Sequence, residues 1–279
     1  MVDVDLEKFF DRVHHDILMG ELSEQIADRR ILRLIRRYLD AGVMANGVVM
    51  ERAEGTPQGG PLSPLLANVL LDRVDKELER RGHAFVRYAD DCNVYVRSRR
   101  AGERVMRFLA RWYGRLRLRI NGAKSAVAPA WQRPFLGFAF WHGPNGTMKR
   151  RIADKALRKM KQRVRQLTRR NAGTSLPQIA VRLREYLLGW KAYFQLAETP
   201  RVFSDLDGWI RHRLRVIQLK QWKRGPTIYR ELRARGASCH LAARVAANGR
   251  RWWKNAAMGL HIVLPTRFFD ELGVPRLAA

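Results

Sequence analysis

Residues His83–Val96 read HAFVRYADDCNVYV, and this stretch sets the architecture of the first half of the chain. Apolar and β-branched residues run up to the Asp90–Asp91 pair and away from it again, a pattern typical of two strands joined by a tight turn. Adjacent carboxylates repel each other, so their place at the tip of an apolar hairpin requires an explanation. Two explanations are open at this point, a metal site and an ordinary polar turn.

The first six residues, MVDVDL, predict a second strand with a polar face. Strict alternation places Val2 and Val4 on one side and Asp3 and Asp5 on the other. If this strand lies beside the hairpin, Asp5 converges with the Asp90–Asp91 pair at one edge of a sheet. Clustered carboxylates raise one another's pKa unless a cation offsets them, and Mg²⁺ prefers such oxygen ligands.

The remainder of the first half alternates between helical and extended patterns. Helical spacing in EKFFDRVHHDIL is followed by a second predicted helix over about residues 26–38. GVMANGVVMERA predicts a hairpin with a two-residue turn at Asn46-Gly47. A long helix follows, with Ser63 as its N-cap and Gly82 as its stop, and a further helix is predicted over about residues 103–115. The fold class is therefore α+β.

The balance of basic and acidic residues differs between the two halves of the chain more than their hydrophobicity does. The 279 residues include 54 Lys and Arg against 26 Asp and Glu, a formal net charge of +28. From Lys149 onward the segment holds 30 basic and 8 acidic residues and is predicted to be helical. A surplus of this size predicts a polyanionic partner, most simply nucleic acid.

Cys92 and Cys239 are the only cysteines, which excludes a disulfide framework and a zinc ribbon. The sequence shows neither a signal pattern nor a membrane span, and we expect a cytoplasmic protein.

Several segments in order resemble one known family. DVDLEKFFD, GTPQGGPLSPLLANVLL, FVRYADD, LRLRINGAKS and FLGF together resemble the palm motifs of reverse transcriptases encoded by bacterial group II introns. LREYLLGWKAYF, within residues 152–224, resembles their maturase-specific thumb domain. The resemblance covers nearly the whole chain and implies a polymerase-type palm, an antiparallel sheet with packed helices, over residues 1–148. It further implies an α-helical thumb/maturase domain over 149–225 and a basic, nucleic-acid-binding extension over 226–279.

The resemblance also implies roles for particular residues. It implies metal ligands at Asp5, Asp90 and Asp91, a pyrophosphate-contacting lysine at Lys124, and nucleotide or template contacts at Phe10, Gln58, Gly59 and Gly60. The implied cofactor is a pair of Mg²⁺ ions, for which Mn²⁺ is a possible substitute. In the family, a bulky residue at the position of Phe10 selects deoxynucleotides by clashing with a 2′-hydroxyl.

Other interpretations of the same residues stay open. Phe10 could be a core aromatic, or Phe9 could take that place. Lys124 could be an ordinary exposed lysine, and FLGF, which matches a primer-positioning element, could be core packing. We expect Tyr88 to pack beneath the hairpin. We expect the aromatic residues of the thumb segment to belong to its core: Trp190, Tyr193 and Phe194.

The function implied is RNA-directed DNA synthesis with intron RNA binding. The implied partners are intron RNA, an RNA template with a DNA primer, and deoxynucleoside triphosphates, and the sequence leaves the oligomeric state open. In the family a fingers region precedes the first strand, so we expect an N-terminally truncated member. The C-terminal part has no Cys-pair or His-Asn-His pattern, so we expect no endonuclease domain. The alternative function is a polymerisation-deficient RNA-binding maturase or splicing cofactor.

Overall fold

The structure, a computed structural model, describes most of the chain. The described residues are 1–41, 43–45, 48–50, 54–56, 60–143, 146–171, 173–248, 251–257 and 259–278, with backbone only for 43–45 and 48–50. They form two compact units, Met1–Arg133 and Pro134–Ala279. None of the helices in these ranges has the length and apolar content needed to cross a membrane.

The first unit contains six strands and four α-helices in its described ranges. They are β1 (Val2–Val4), α1 (His15–Gln25), α2 (Arg29–Asp40), β2 (Val43–Ala45), β3 (Val48–Met50), α3 (Ser63–Arg80), β4 (Ala84–Tyr88), β5 (Asp91–Tyr95), α4 (Arg99–Arg115) and β6 (Ala126–Val127).

The central sheet of this unit has the order β4-β5-β1-β6, and every neighbouring pair is antiparallel. One face of the sheet is covered by helices, and together they enclose a core that includes Val2, Leu70 and Leu109. The predicted α+β palm, an antiparallel sheet with packed helices, is confirmed. The predicted hairpin β2–β3 is also confirmed, while its turn residues Asn46-Gly47 lie outside the described residues.

The first helix begins later than the sequence predicts. Helical spacing starts at Glu7, yet the chain forms only a short 3₁₀ turn over Phe9–Asp11 before α1 begins at His15. The carbonyls of Phe10 and Val13 accept hydrogen bonds from the amides of Thr56 (2.6 Å) and Gly55 (2.8 Å). Because these carbonyls are bound to a distant segment, they are not available for continuous i to i+4 helical bonds.

The observed ends of α3 and α4 show which local sequence signals predicted a helix boundary correctly. Gly82 has a φ of +70° and ends α3. The Gly82 amide donates a hydrogen bond to the Glu79 carbonyl, and the following amide donates to the Leu78 carbonyl, which together form a Schellman motif. The predicted stop is therefore confirmed. Ser63 lies inside the first turn of α3, so its prediction as the N-cap was wrong by one residue, and Leu62 holds that position. Helix α4 begins four residues before the prediction, at Arg99, because Ser98 accepts a hydrogen bond from the Ala101 amide (3.2 Å) and caps it.

The second unit is a two-stranded hairpin followed by helices. Its elements are β7 (Phe138–His142), β8 (Met148–Ile152), α5 (Asp154–Leu167), α6 (Leu176–Phe194), α7 (Pro200–Trp222), α8 (Gly225–Ala234), α9 (Cys239–Ala247), α10 (Trp252–Ala257), α11 (Leu260–Val263) and α12 (Thr266–Glu271). Its own hydrophobic core runs from α5 through α7 to the last helices and includes Leu183, Leu214 and Leu260. The helical character predicted for this half is confirmed.

The hairpin β7–β8 packs with the second unit, although the predicted palm boundary at residue 148 assigns most of it to the first. Phe138 stacks on Tyr193 of α6 with ring centroids 6.0 Å apart and contacts Phe194 at 5.1 Å. The Ala153 amide donates to the Gly137 carbonyl (2.8 Å), which ties the hairpin to the start of α5. The compact units therefore divide at Arg133, and the functional division into 1–148, 149–225 and 226–279 stays a prediction.

The thumb aromatics divide between core and surface. Trp190 and Phe194 are buried, as expected for core residues. Tyr193 is 53% exposed and donates a hydrogen bond to the Leu136 carbonyl (2.9 Å), so its prediction as a core residue was wrong. Its hydroxyl needs a polar partner, and the left-handed Leu136 (φ +49°) presents one at the surface. Phe138 of FLGF packs against these rings, which agrees with the core interpretation, and a primer-positioning role stays a prediction.

We expect Gly55→Ala to destabilise the protein. Gly55 has a φ of +97°, and an added Cβ would lie 3.0 Å from the carbonyl oxygens of Phe10 and Asp11. The expected loss in free energy of unfolding is about 1–3 kcal/mol. Gly20→Ala is the control, because it lies within α1 with open space around it and should gain about 0.5–1 kcal/mol. Urea unfolding followed by circular dichroism measures both, and equal stabilities for the two variants would contradict the expectation.

Candidate active site

Asp5, Asp90 and Asp91 lie at one edge of the central sheet. Asp5 directly follows β1, and Asp90 lies in the turn that joins β4 to β5, while Asp91 begins β5. Strands β1 and β5 are antiparallel with Val4 opposite Cys92, so the next residue of β1, Asp5, comes to the level of Asp91. The first strand therefore does lie beside the hairpin, the condition under which the sequence placed the three carboxylates at one edge of a sheet.

The carboxylates interact electrostatically. Burial raises the pKa of Asp90, and the negative charge of Asp5 raises it further. Burial also raises the pKa of Asp91, followed by the charges of Asp90, Asp5 and Asp3. Lys124 opposes both increases. The group is thus a region of concentrated negative charge in a chain with a large positive excess, as expected for a site that attracts cations.

Lys124 contacts this group directly. Its Nζ lies 3.2 Å from Asp5 Oδ2, and the side chain is 66% exposed. The loop that carries it is fixed on the backbone of Asp5: the Asn121 amide donates to the Asp5 carbonyl (2.9 Å), and the Asp5 amide donates to Ser125 Oγ (3.0 Å). Arg133 donates to the Lys124 carbonyl and to Asp3 Oδ2 (2.6 Å). Asp3 of β1 therefore has an arginine partner, whereas Asp5, which directly follows β1, is paired with the lysine.

The side chains of this site have the ligand chemistry that a divalent cation requires. Asp5 Oδ1 is buried and has no hydrogen-bond partner, which is costly for a carboxylate oxygen unless a cation accompanies it. The candidate ligands are all carboxylate oxygens, the ligand type that Mg²⁺ prefers. Within the described ranges, no group of three His, Cys, Asp or Glu side chains is arranged closely enough to hold a metal ion. Metal binding by Asp5, Asp90 and Asp91 therefore stays a prediction.

The turn that presents Asp90 is held by a partly buried ion pair. Ala89 has a φ of +53°, an unusual conformation for alanine. Arg87 Nη1 donates to the Ala89 carbonyl (3.0 Å) and to Asn68 Oδ1 (2.8 Å). Arg87 Nη2 lies 2.5 Å from Asp75 Oδ2 on α3, and the two side chains are 11% and 19% exposed. Arg87 thus connects the turn to the helix behind it.

The nucleotide-contact residues are placed only in part. Phe10 lies in the short 3₁₀ turn and is partly buried, while its neighbour Phe9 is fully within the core, so Phe9 is the core aromatic. Gly60 lies just before α3, and its carbonyl accepts from the Ser63 amide (3.3 Å). Gln58 and Gly59 lie outside the described residues. The roles implied for these residues stay predictions.

Sequence reasoning missed Arg87 and Asp75 and misplaced Tyr88. Tyr88 is 64% exposed, so its prediction as packing beneath the hairpin was wrong. The period of two along β4 turns Arg87 toward α3 and therefore places Tyr88 on the opposite face. An arginine at an inward position of a strand was a signal for a buried ion pair, but its partner on α3 is 12 residues away and could not be identified from spacing.

Cys92 is buried next to Asp91, and burial raises the pKa of its thiol to about 12, so it is not a nucleophile at neutral pH.

Comparison with known families gives two matches, one mainly over the first unit and one within the second. Residues 1–140 match the family described as reverse transcriptase (RNA-dependent DNA polymerase), which is half of the chain. Residues 157–236 match the maturase-specific domain of group II introns. An antiparallel sheet with carboxylates at a strand end and a hairpin turn thus places the first unit in the class of polymerase palms. The chain belongs to the reverse transcriptase family, as a group II intron reverse transcriptase/maturase.

The similar proteins include two whose names refer to an intron. Protein YkfC of Escherichia coli is 29% identical over 162 residues, which is 46% of this chain and 42% of that protein. The group II intron-encoded protein LtrA of Lactococcus lactis is 41% identical over 75 residues, 27% of this chain and 12% of LtrA. An uncharacterized 91 kDa protein in the cob intron of Schizosaccharomyces pombe is 38% identical over 78 residues, 28% of this chain and 10% of that protein. The chain thus spans less than half the length of each relative that it matches.

Proposed function

We propose that this chain catalyses RNA-directed DNA synthesis and binds the RNA of a group II intron. The observation that carries the proposal is the position of Asp5 at the end of β1, coupled electrostatically to Asp90 and Asp91 on the neighbouring hairpin. The proximity of Lys124 Nζ to Asp5 supports it. The family match over residues 1–140 supports nucleotidyl transfer as the reaction class.

We assign Asp5, Asp90 and Asp91 as ligands of two Mg²⁺ ions, for which Mn²⁺ is a substitute. Such ions would supply Lewis-acid activation of a primer 3′-hydroxyl and neutralisation of the charge that develops on pyrophosphate. The protein's own contribution is to hold the three carboxylates at a fixed sheet edge, so that little reorganisation accompanies the reaction. Asp5 Oδ1, buried and without a partner, is the oxygen that gains most from a cation.

The neighbouring residues complete the nucleotide site in this proposal. Lys124 is positioned to stabilise or protonate pyrophosphate, and its 66% exposure leaves it accessible to a triphosphate. Phe10 would exclude a 2′-hydroxyl. Gln58, Gly59 and Gly60 would contact the incoming nucleotide and the template, where glycine allows a close approach of the backbone.

The second unit would hold nucleic acid. Its segment from Lys149 onward carries 30 basic residues against 8 acidic ones, and residues 157–236 match the maturase-specific domain. Contacts to phosphates and 2′-hydroxyls would recognise the intron RNA and the template–primer largely by shape. We place this activity in the bacterial cytoplasm.

The second candidate function is RNA binding in splicing without polymerisation. The maturase-domain match and the basic excess favour it independently of the carboxylates. Under this alternative, affinity for structured RNA falls steeply with salt, and the protein extends no primer.

Primer extension distinguishes the two functions. We expect the full chain to extend a DNA primer on an RNA template with Mg²⁺ and deoxynucleotides, and to lose this activity in EDTA. RNA affinity measured in parallel should decrease linearly with salt on logarithmic axes, as expected for counterion release. RNA binding without extension would support the splicing cofactor and overturn the polymerase, whereas failure to bind RNA would contradict both.

A further inference from the structure

A cationic cavity lies within the second unit, formed by the end of α5, the segment that follows it, α7 and α10. Its volume is about 550 Å³, within the range of pockets that hold a small ligand. Five of its described lining residues are cationic and none is acidic: Arg165, Arg169, Arg170, Arg213 and Lys220. The unit therefore concentrates like charges around an open volume, which is unfavourable unless an anion enters.

One of these arginines is fixed in place by the protein. Arg213 Nε donates to Thr168 Oγ1 (2.8 Å), and Nη2 donates to the Thr168 carbonyl (3.2 Å). Thr168 is itself buried and donates to the Val164 carbonyl (2.5 Å). Burial and the charges of Arg165 and Arg170 lower the pKa of Arg213. The described residues give Arg213 no acidic partner, so a positioned guanidinium faces the cavity beside two others.

Aromatic side chains lie beside the cations. Trp209 has the guanidinium carbons of Arg213 and Arg165 at 5.4 and 5.7 Å from its ring centroid, which orders both arginines. Trp253 lines the cavity and is 50% exposed, and the ring of His212 supports it edge-on with centroids 4.1 Å apart. An exposed indole next to convergent arginines is suited to stack a nucleobase while the arginines hold a phosphate. An acidic peptide would use the arginines but would leave the indole without a function.

We propose that this cavity holds one unpaired nucleotide of a bound RNA strand. Its phosphate lies against Arg165, Arg170 and Arg213, and its base stacks on Trp253. The proposal rests on the RNA binding of the proposed function and adds a structural selectivity to it. A nucleotide inside a double helix keeps its base stacked on its neighbours and cannot present that face to an indole, so the cavity distinguishes single-stranded from paired segments.

The test measures binding of the full chain to two fluorescent RNAs, an unstructured single strand and a blunt duplex of equal length. Trp253→Leu should weaken binding of the single strand about 5- to 150-fold, the range for loss of one stacked base, and leave binding of the duplex unchanged. Trp253→Phe should restore most of the affinity. Arg165→Gln combined with Arg170→Gln should also weaken binding of the single strand. The double variant should reduce the salt slope by no more than roughly 0.7, the value for one phosphate, because Arg213 still lies against it.

Arg158→Gln is the matched control, because it removes the same charge from an exposed position of α5 that does not line the cavity. It should affect both RNAs equally. Equal effects of Trp253→Leu on the two RNAs, or no effect on either, would overturn the proposal, with circular dichroism confirming that the variant is folded. Competition by inorganic phosphate or an acidic peptide as strong as that by the RNA would also overturn it. If the wild type binds neither RNA, the proposed function itself fails, which is a separate result.

Discussion

Asp90→Asn is expected to reduce primer extension by about 10³-fold or more. A metal-ion contribution of several kcal/mol corresponds to this loss, since each 1.4 kcal/mol is roughly tenfold in rate. The substitution keeps the size of the side chain and removes one carboxylate charge from the edge where Asp5 and Asp91 also lie. Single-turnover extension on an RNA template at saturating Mg²⁺ measures the effect.

Stability measurements distinguish a lost ligand from a damaged fold. The pKa of Asp90 is raised in the folded state by burial and by Asp5, so its ionised form opposes folding above that pKa. In EDTA the variant should therefore be at least as stable as the wild type. Mg²⁺ should raise the melting temperature of the wild type through preferential binding to the folded state and should raise that of the variant much less. Glu79→Gln, an exposed charge loss on α3, should change neither property. A variant that retains extension would contradict the assignment of Asp90.

Arg87→Met is expected to destabilise the hairpin β4–β5 and the turn between its strands. It leaves the partly buried Asp75 without its partner and frees the Ala89 carbonyl that Arg87 holds. Breaking a buried pair costs about 3–5 kcal/mol, and the lower end applies because both side chains retain some exposure. The amides of β4 and β5 should then exchange hydrogen about 10²-fold faster, which hydrogen-exchange mass spectrometry measures on peptides covering residues 84–95.

Two companion variants test the cause. Arg99→Met breaks the Arg99–Glu103 pair on α4, whose side chains are 84% and 52% exposed, and should change stability by less than about 1 kcal/mol. Asp75→Leu combined with Arg87→Met should cost less than the sum of the single changes, because no unpaired charge remains buried. Additive losses would show that the two side chains do not act as a pair. Extension activity should fall in Arg87→Met as well, since the turn that presents Asp90 is released.

Local sequence signals were sufficient where the structure is made by neighbouring residues. The alternation through β4 and β5 predicted the hairpin, and Gly82 predicted the end of α3, because both depend on backbone preferences within a few residues. The difference in net charge between the two halves could likewise be determined from the amino-acid composition alone. By contrast, α1 begins late because Gly55 and Thr56 bind the carbonyls before it, and no local pattern contains that segment.

The sequence by itself determined the α+β class of the first half, the helical basic second half, and the aspartates around which a site could form. It did so because periodicity, turn chemistry and charge are properties of adjacent residues. Only the tertiary structure decided that Asp5 meets Lys124, that Arg87 holds the turn through Asp75, and that the hairpin β7–β8 packs on α6. Tertiary packing also turned Tyr88 outward and placed Trp253 among arginines from α5 and α7. These contacts join residues far apart in the chain, and their geometry depends on the packing of whole elements.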